Sequence, residues 1–188
     1  MNELTIRDRK RQTTATTIHT IAKAMVLEVG LANVLVEDIA TKAGVSRRTF
    51  FNYFATKDDA ILGLQEPTLL PSALEVFKES KDSLLLRTVR LIVTTNSTAL
   101  VHGASFQPAV ALRKQHPELK ARFDLCAAKT EQLIRPVIEQ YAKKDDVEVL
   151  LRLSGAILRY TYANDPKFQD DSIQKSVAKF LETIDRIA

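Results

Sequence analysis

The segment from residue 36 to residue 57, VEDIATKAGVSRRTFFNYFATK, constrains the fold more than any other part of the chain. Its first half places Ile39, Ala40 and Ala43 at helical spacing, which indicates one buried helix face. Gly44 can then enter left-handed backbone conformations without a steric penalty, and Ser46 can accept a hydrogen bond from the first free N–H groups of a following helix. The segment therefore predicts two short helices joined by a tight turn.

The second helix of this pair is predicted to have two chemically different faces. At about 100° per residue, Phe50 and Phe54 fall together and face inward, whereas Arg48 and Asn52 lie on the opposite side. The flanks are held by Arg47, Thr49, Phe51 and Tyr53. Arginine can donate two hydrogen bonds to guanine, asparagine can pair with adenine, and threonine offers a hydroxyl and a methyl group to thymine. The outer face therefore predicts contacts with base edges in a DNA groove.

The charge distribution is consistent with this interpretation. A net charge of +4 and a pI near 9.2 are mild for the whole chain, but residues 42–57 hold four cations and no acid. Tyr53 and Lys57 lie where a phenol and an ammonium group can meet backbone phosphates. A helical protein-interaction or small-molecule-binding module without specific DNA binding remains the alternative, and the salt dependence of DNA affinity would separate the two.

The order of these residues resembles the DNA-binding domain of the tetracycline-repressor (TetR) family. The shared pattern comprises Ile39-Ala40, Ala43-Gly44-Val45-Ser46, Thr49, Phe51-Asn52-Tyr53-Phe54, Lys57 and Ile61 or Leu62. The resemblance implies base-edge contacts by Arg47, Arg48 and Thr49, and sugar-phosphate contacts by Phe51, Tyr53 and Lys57. It also implies a ligand-responsive transcriptional regulator, expected to be a repressor, that binds a near-palindromic operator as a homodimer.

Three positions depart from the usual family pattern. Phe51 stands where a tyrosine is usual, so a phosphate-binding hydroxyl is missing. Leu35 occupies the place of a threonine that caps the first helix of the motif, a cap worth about 1 kcal/mol. Arg48 stands where a small residue is common, and its guanidinium adds either a base contact or a phosphate clamp. We therefore expect an operator that differs from those of better-known relatives.

The N-terminal region predicts a supporting helix. Apolar residues between 18 and 29 follow helical spacing, and Thr13 or Thr14 is available as a cap. Residues 7–11, Arg-Asp-Arg-Lys-Arg, form a short basic arm ahead of this helix. The arm can contact phosphates or a minor groove, or it is simply a solvated terminus.

The remainder of the chain predicts an all-α fold. A helix beginning near Lys57 is predicted to break at Pro67 and Pro71, and later helices are predicted over residues 82–101, 117–141, 145–163 and 169–187. The domain division is predicted to be a three-helix DNA-binding domain with its basic arm at residues 1–60, and a larger helical domain for effector binding and dimerisation at residues 61–188.

The last two predicted helices indicate an oligomer, because the first is apolar on nearly all sides and needs neighbours on two of them. The resemblance implies that they pair with their counterparts in a four-helix dimer interface. The candidates are Leu150, Leu153, Gly155, Ile157, Leu158, Ile173, Val177, Leu181 and Ile184. An ordinary monomer core is the alternative.

The resemblance also implies a small, mostly apolar effector held among the middle helices. The candidate residues are polar groups set among apolar ones, with two aromatic walls: Asn96, His102, Phe106, Arg113, Phe123 and Tyr160. His102 precedes a glycine at a predicted helix end, so a capping or surface role is the alternative. The polar atoms of Asn96 and Tyr160 need a partner, which can equally be the backbone.

Several function classes find no support in the sequence. The histidines at 19, 102 and 116 show no ligand spacing with each other or with Cys126, and no glycine-rich phosphate loop is present, so we expect no enzyme activity, metal or cofactor. His19 lies off its apolar stripe and is predicted at the surface. A single cysteine, no apolar signal core and no apolar run of eighteen residues lead us to expect a cytoplasmic protein without membrane association.

Overall fold

The computed structural model describes residues 5–102, 104, 112, 115–165 and 169–188, apart from the side chain of Asp8. Within these ranges nine α-helices are described in full, and the predicted all-α fold is confirmed. The helices are α1 (Ile6–Val29), α2 (Val36–Lys42), α3 (Arg47–Tyr53), α4 (Lys57–Leu62), α5 (Pro71–Glu79), α6 (Leu84–Thr98), α7 (Lys120–Ile138), α8 (Lys144–Asn164) and α9 (Asp170–Ile187). Short 3-10 turns lie at Leu31–Asn33 and Pro117–Leu119.

Packing divides the chain into two compact units. Unit 1 contains residues 1–66 and 98–126, and unit 2 contains residues 67–97 and 127–188. The described residues of the segment 98–126 therefore pack with the N-terminal helices, although they are distant from them in sequence. The predicted functional boundary between residues 60 and 61 stays a prediction.

The core of unit 1 is formed where α1 packs against α2 and α4, and where α2 packs against α3. Ile18, Ile39, Phe50, Phe54 and Ile61 are almost completely buried there. Four of these residues come from four different helices and Phe54 directly follows α3, so one apolar cluster holds α3 in place. Burying each such side chain stabilises the fold by about 1.5–3 kcal/mol.

The first helix begins earlier than the sequence predicted. It starts at Ile6, so residues 7–11 form its first turns and not a separate arm. The Thr13 and Thr14 hydroxyls do not cap the helix but donate to the carbonyls of Arg9 and Lys10 at 2.9 and 3.0 Å. Arginine, lysine and glutamine are good helix formers, so no residue in this stretch stops the helix.

The fourth helix ends at a glycine and not at the two prolines. Gly63 adopts φ 68°, a left-handed conformation that terminates α4. Past it, the Gln65 N–H donates to the Ala99 carbonyl at 2.7 Å, and the Val101 N–H donates to the Gly63 carbonyl at 2.9 Å. This pairing also explains why α6 stops at Thr98, three residues before the predicted end at residue 101. Pro71 does not break a helix but occupies the first turn of α5.

Unit 2 contains two apolar clusters. The first joins α5, α6, α7 and α8 through Phe77, Leu91, Ile134, Ile138 and Val147. The second joins α6, α8 and α9 and contains Leu85, Val89, Ile157, Leu158, Ile173 and Val177. Four residues predicted at the dimer interface therefore lie in the core of a single chain.

Candidate nucleic-acid interface

The turn before α3 has the geometry that its sequence predicted. Gly44 adopts φ 67°, and the Val45 N–H donates to the Ala40 carbonyl at 2.9 Å, which closes the end of α2. The Ser46 hydroxyl oxygen accepts a hydrogen bond from the Thr49 N–H at 3.0 Å and so caps α3. The start and direction of α3 are therefore fixed by local backbone geometry.

The two faces of α3 are divided as predicted. Phe50 and Phe54 are buried, whereas Arg48 and Asn52 are exposed. Of the flanking residues, Arg47 and Phe51 are exposed and Thr49 and Tyr53 are half-buried. The exposed face thus offers guanidinium, amide and aromatic groups to an approaching duplex, while their individual DNA contacts stay predictions.

Arg47 is held by neighbours that the sequence analysis missed. Its Nη1 lies 2.7 Å from the Glu37 Oε1 on α2, and its guanidinium carbon lies 5.7 Å from the centre of the Phe51 ring. Both partners of the ion pair are largely exposed, so the pair is worth little in water and can be exchanged for a DNA contact. Phe51 therefore supports Arg47 through its ring face, although it lacks the usual hydroxyl.

Lys57 performs a structural task at the start of α4. Its ammonium group donates to the Leu31 and Val34 carbonyls at 3.1 and 3.0 Å, across the 3-10 turn that follows α1. A lysine has three donors, so these two bonds leave one N–H for another acceptor. The predicted phosphate contact stays a prediction, but the side chain also ties α4 to the turn before α2.

The N-terminus of α2 lacks a side-chain cap. Leu35 occupies the capping position with φ −109° and ψ 147°, makes no capping hydrogen bond and is 55% exposed. The sequence predicted that Leu35 leaves α2 without a side-chain cap, and this prediction is confirmed. The acids in the first turn, Glu37 and Asp38, still favour this end of the helix through its dipole.

His19 is half-buried, so its predicted surface position is wrong. Its Nδ1 lies 2.8 Å from the Ala60 carbonyl on α4. Burial lowers the pKa of His19, and the nearby Lys23 lowers it further, whereas the bond to Ala60 raises it. A Cβ built on Gly63 would lie 3.0 Å from the His19 ring, so the ring fills the space that the glycine leaves. His19 lies beside the apolar stripe of α1 and is nevertheless half-buried, because α4 packs over that side of the helix.

A buried ion pair lies at the N-terminus of α4. The Asp59 carboxylate accepts from the Thr56 N–H at 3.1 Å and from the Thr56 hydroxyl at 2.9 Å, while the Asp59 N–H donates to that hydroxyl oxygen. The Arg122 Nε and Nη2 donate to the same carboxylate at 2.8 and 2.6 Å. Sequence reasoning found neither partner, because 63 residues separate them.

The predicted effector residues have separate surroundings. In unit 2, Asn96 accepts a hydrogen bond from the Thr130 hydroxyl at 2.6 Å, and the Tyr160 ring packs edge-on against Phe180 at 5.6 Å. In unit 1, His102 is exposed and Phe123 packs against the core. Phe106 and Arg113 lie outside the described residues. The effector set stays a prediction.

The predicted dimer residues divide into two groups. Ile157, Leu158, Ile173 and Val177 are buried within unit 2 by the chain's own helices, and Leu150, Leu153 and Gly155 are half-buried. Leu181 and Ile184 are exposed on α9. Periodicity alone cannot distinguish an apolar stripe that faces another helix of the same chain from one that faces a second copy.

Two further features are absent from the described ranges. No group of three or more His, Cys, Asp or Glu side chains there has an arrangement that suits a metal ion. Among the same residues, no helix combines the length and apolar character needed to cross a bilayer.

Comparison with known proteins identifies the N-terminal part of the chain. Residues 18–62, from within α1 to the end of α4, match the family of bacterial regulatory proteins described as the tetR family. No curated protein matches the chain. The matched segment contains Gly44, Ser46 and the whole of α3, which are the parts that present the exposed face. Residues 18–62 are therefore similar to the DNA-binding domain of tetR-family proteins, and this match supports a DNA-binding transcriptional regulator.

Proposed function

We propose that the chain is a ligand-responsive repressor that binds a near-palindromic operator as a homodimer and is released or retuned by a small molecule. The observation that carries the proposal is the free outer face of α3, where Arg48 and Asn52 are exposed over a buried Phe50 and Phe54. In this proposal residues 1–60 bind DNA, and residues 61–188 hold the effector and the dimer contacts.

Dimerisation is supported by exposed apolar side chains on the last two helices. Tyr160, Leu181, Ile184 and Ile187 are all more than a third exposed, and such surfaces commonly mark interfaces. One α3 helix contacts few base pairs, whereas two related by a two-fold axis reach half-sites about 34 Å apart and double the contacts.

The effector would act by favouring one of two arrangements of the subunits. It can shift their balance only by the difference between its affinities for the two arrangements. Repression then follows operator occupancy, and the effector lowers that occupancy. We propose no catalytic step for this chain, because regulation by occupancy needs none.

The DNA-binding part of the proposal is tested by capturing genomic fragments with the purified chain and footprinting them. We expect a near-palindromic protected site, and an affinity that falls steeply with salt, with a logarithmic slope of about −0.9 per phosphate contact. A chain that binds no fragment at low ionic strength would instead be an interaction module that has lost DNA binding.

The dimer is tested by sedimentation of Leu181→Glu, with Leu27→Glu as the control. Leu181 lies on α9, whereas Leu27 is 76% exposed on α1 and belongs to no proposed interface. We expect only the first variant to become monomeric and to protect a single half-site. A wild-type chain that sediments as a monomer while protecting both half-sites would contradict the homodimer.

A further inference from the structure

A cavity of about 180 Å³ opens between α5 and α6 in unit 2. Its walls are mainly apolar and include Ala73, Val76, Phe77 and Leu91. An apolar cavity of about 150 Å³ is large enough to hold benzene, so this one admits a single ring with a small substituent. Of the residues that the sequence suggests for the effector, the four that the structure describes, Asn96, His102, Phe123 and Tyr160, do not line it.

Arg87 brings an uncompensated positive charge to this cavity. Its Nε donates to the Phe77 carbonyl at 2.7 Å, and its guanidinium carbon lies 4.4 Å from the Phe77 ring and 5.0 Å from the Tyr141 ring. Its Nη2 is buried and has no hydrogen-bond partner in the described part of the chain. Arg87 is half-buried as a whole, and a buried unpaired donor on its charged group is costly, so an anionic acceptor at this position would be favoured.

A second arginine at the same cavity, Arg90, has carboxylate partners for its guanidinium. Arg90 also lines it, but its Nη1 pairs with Asp82, and its Nε and Nη2 donate to the Asp170 carboxylate at 2.6 and 2.8 Å. Two carboxylates therefore neutralise Arg90, whereas no carboxylate of the described residues pairs with Arg87. The positive charge open to a ligand thus belongs to Arg87.

We propose that this cavity binds a small aromatic carboxylate, with its ring against Phe77 and Leu91 and its carboxylate on the Arg87 guanidinium. Arginine suits this task because its planar fork matches the two oxygens of a carboxylate. The proposal rests on the proposed function, since it names the chemical class of the effector. It differs from the sequence-based prediction in the charge of the ligand, and its site contains none of the described residues of that prediction.

The test uses benzoate as the probe and benzyl alcohol as its uncharged control, each titrated calorimetrically into the full chain. We expect benzoate to bind at least tenfold more tightly than benzyl alcohol. Arg87→Met keeps the long side chain but removes the charge, and should weaken benzoate binding by about ten- to a hundredfold. Arg152→Met is the matched control, because Arg152 is 75% exposed on α8 and does not line the cavity.

A second variant keeps the proposal testable if Arg87→Met unfolds. Val76 lies at the cavity and is 64% exposed, so Val76→Glu places a carboxylate at the mouth without disturbing the core. It should also weaken benzoate binding tenfold or more, while Leu27→Glu should not. The site is overturned if benzoate does not bind, if benzyl alcohol binds equally well, or if both cavity variants retain wild-type affinity.

The effector role is tested separately by adding benzoate to the footprinted operator complex. Release of the wild-type chain, but not of Arg87→Met, is the expected result. If benzoate binds through Arg87 but the operator stays occupied, the proposed role of the ligand as effector is overturned. The binding site itself would still be supported. A wild-type chain that binds no DNA even when benzoate is absent would instead refute the proposed function. The calorimetric result on benzoate binding would still stand.

Discussion

Arg122→Met should destabilise unit 1, because it removes the arginine partner of the buried Asp59 carboxylate. The Arg122 side chain is 24% exposed and that of Asp59 only 7%, and two hydrogen bonds of 2.8 and 2.6 Å join them. Methionine would keep most of the aliphatic packing and remove the guanidinium. The Asp59 carboxylate would then stay buried with only the N–H and hydroxyl of Thr56 as donors.

The expected loss follows from the geometry of this pair. Removing one partner of a buried ion pair costs about 3–5 kcal/mol, because the other charge stays buried. The two bonds from Thr56 remain and Arg122 is partly solvated, so we expect the lower end, about 3 kcal/mol. For a chain of this length that free energy corresponds to a fall in melting temperature of about 6–12 °C.

The assay is urea unfolding followed by circular dichroism, with Arg152→Met as the control. Arg152 pairs with Glu148 on the surface of α8 and should show no measurable change. The double variant Asp59→Asn/Arg122→Met should recover part of the loss, since no buried charge is left unpaired. The reasoning fails if Arg122→Met costs no more than the control, or if its cost disappears in 1 M salt, which screens exposed pairs far more than buried ones.

Four other substitutions test separate features. Leu35→Thr should supply the missing cap and raise the free energy of unfolding by about 1 kcal/mol, which a melting curve would show. Burial lowers the pKa of His19 from 6.5, so the unfolded state takes up a proton that the folded state resists; stability should fall as the pH drops through about 6.5, and His19→Gln should flatten that pH profile. Arg48→Ala should cost about 1–3 kcal/mol at one base position per half-site, whereas an equal loss on every sequence would show a phosphate clamp. Glu37→Gln should free Arg47 and tighten DNA binding by up to about fivefold at low salt, and an unchanged affinity would show that the pair does not compete with DNA.

The helix-turn-helix was predictable because its determinants are local. A helical period, the glycine at residue 44 and the capping serine at residue 46 each act within a few residues, and the structure confirms the turn that they predict. The contacts that hold α4 are not local. His19 meets Ala60 across 41 residues, and no periodicity argument on α1 alone indicates which flank another helix will cover.

The predicted dimer interface shows a second limit of sequence patterns. The stripes on α8 and α9 are apolar as predicted, but Ile157 and Ile173 are covered by helices of the same chain. A pattern records that a face is buried and does not record what buries it. The exposure of each side chain in the folded chain shows which residues are not covered by its own helices. Among the predicted interface residues, Leu181 and Ile184 are exposed.

The side chains predicted to contact DNA differ in their other contacts within the fold, and that difference decides how their variants must be interpreted. Arg48 and Asn52 are exposed, and within the described residues their side chains form no hydrogen bond or ion pair, so their substitution should change recognition without changing stability. Lys57 donates to two backbone carbonyls that would otherwise need new partners. A fall in DNA affinity for a Lys57 variant is therefore evidence of a phosphate contact only when the free energy of unfolding is unchanged. For Arg48 the affinity alone is sufficient, because its side chain has no structural role to confound the measurement.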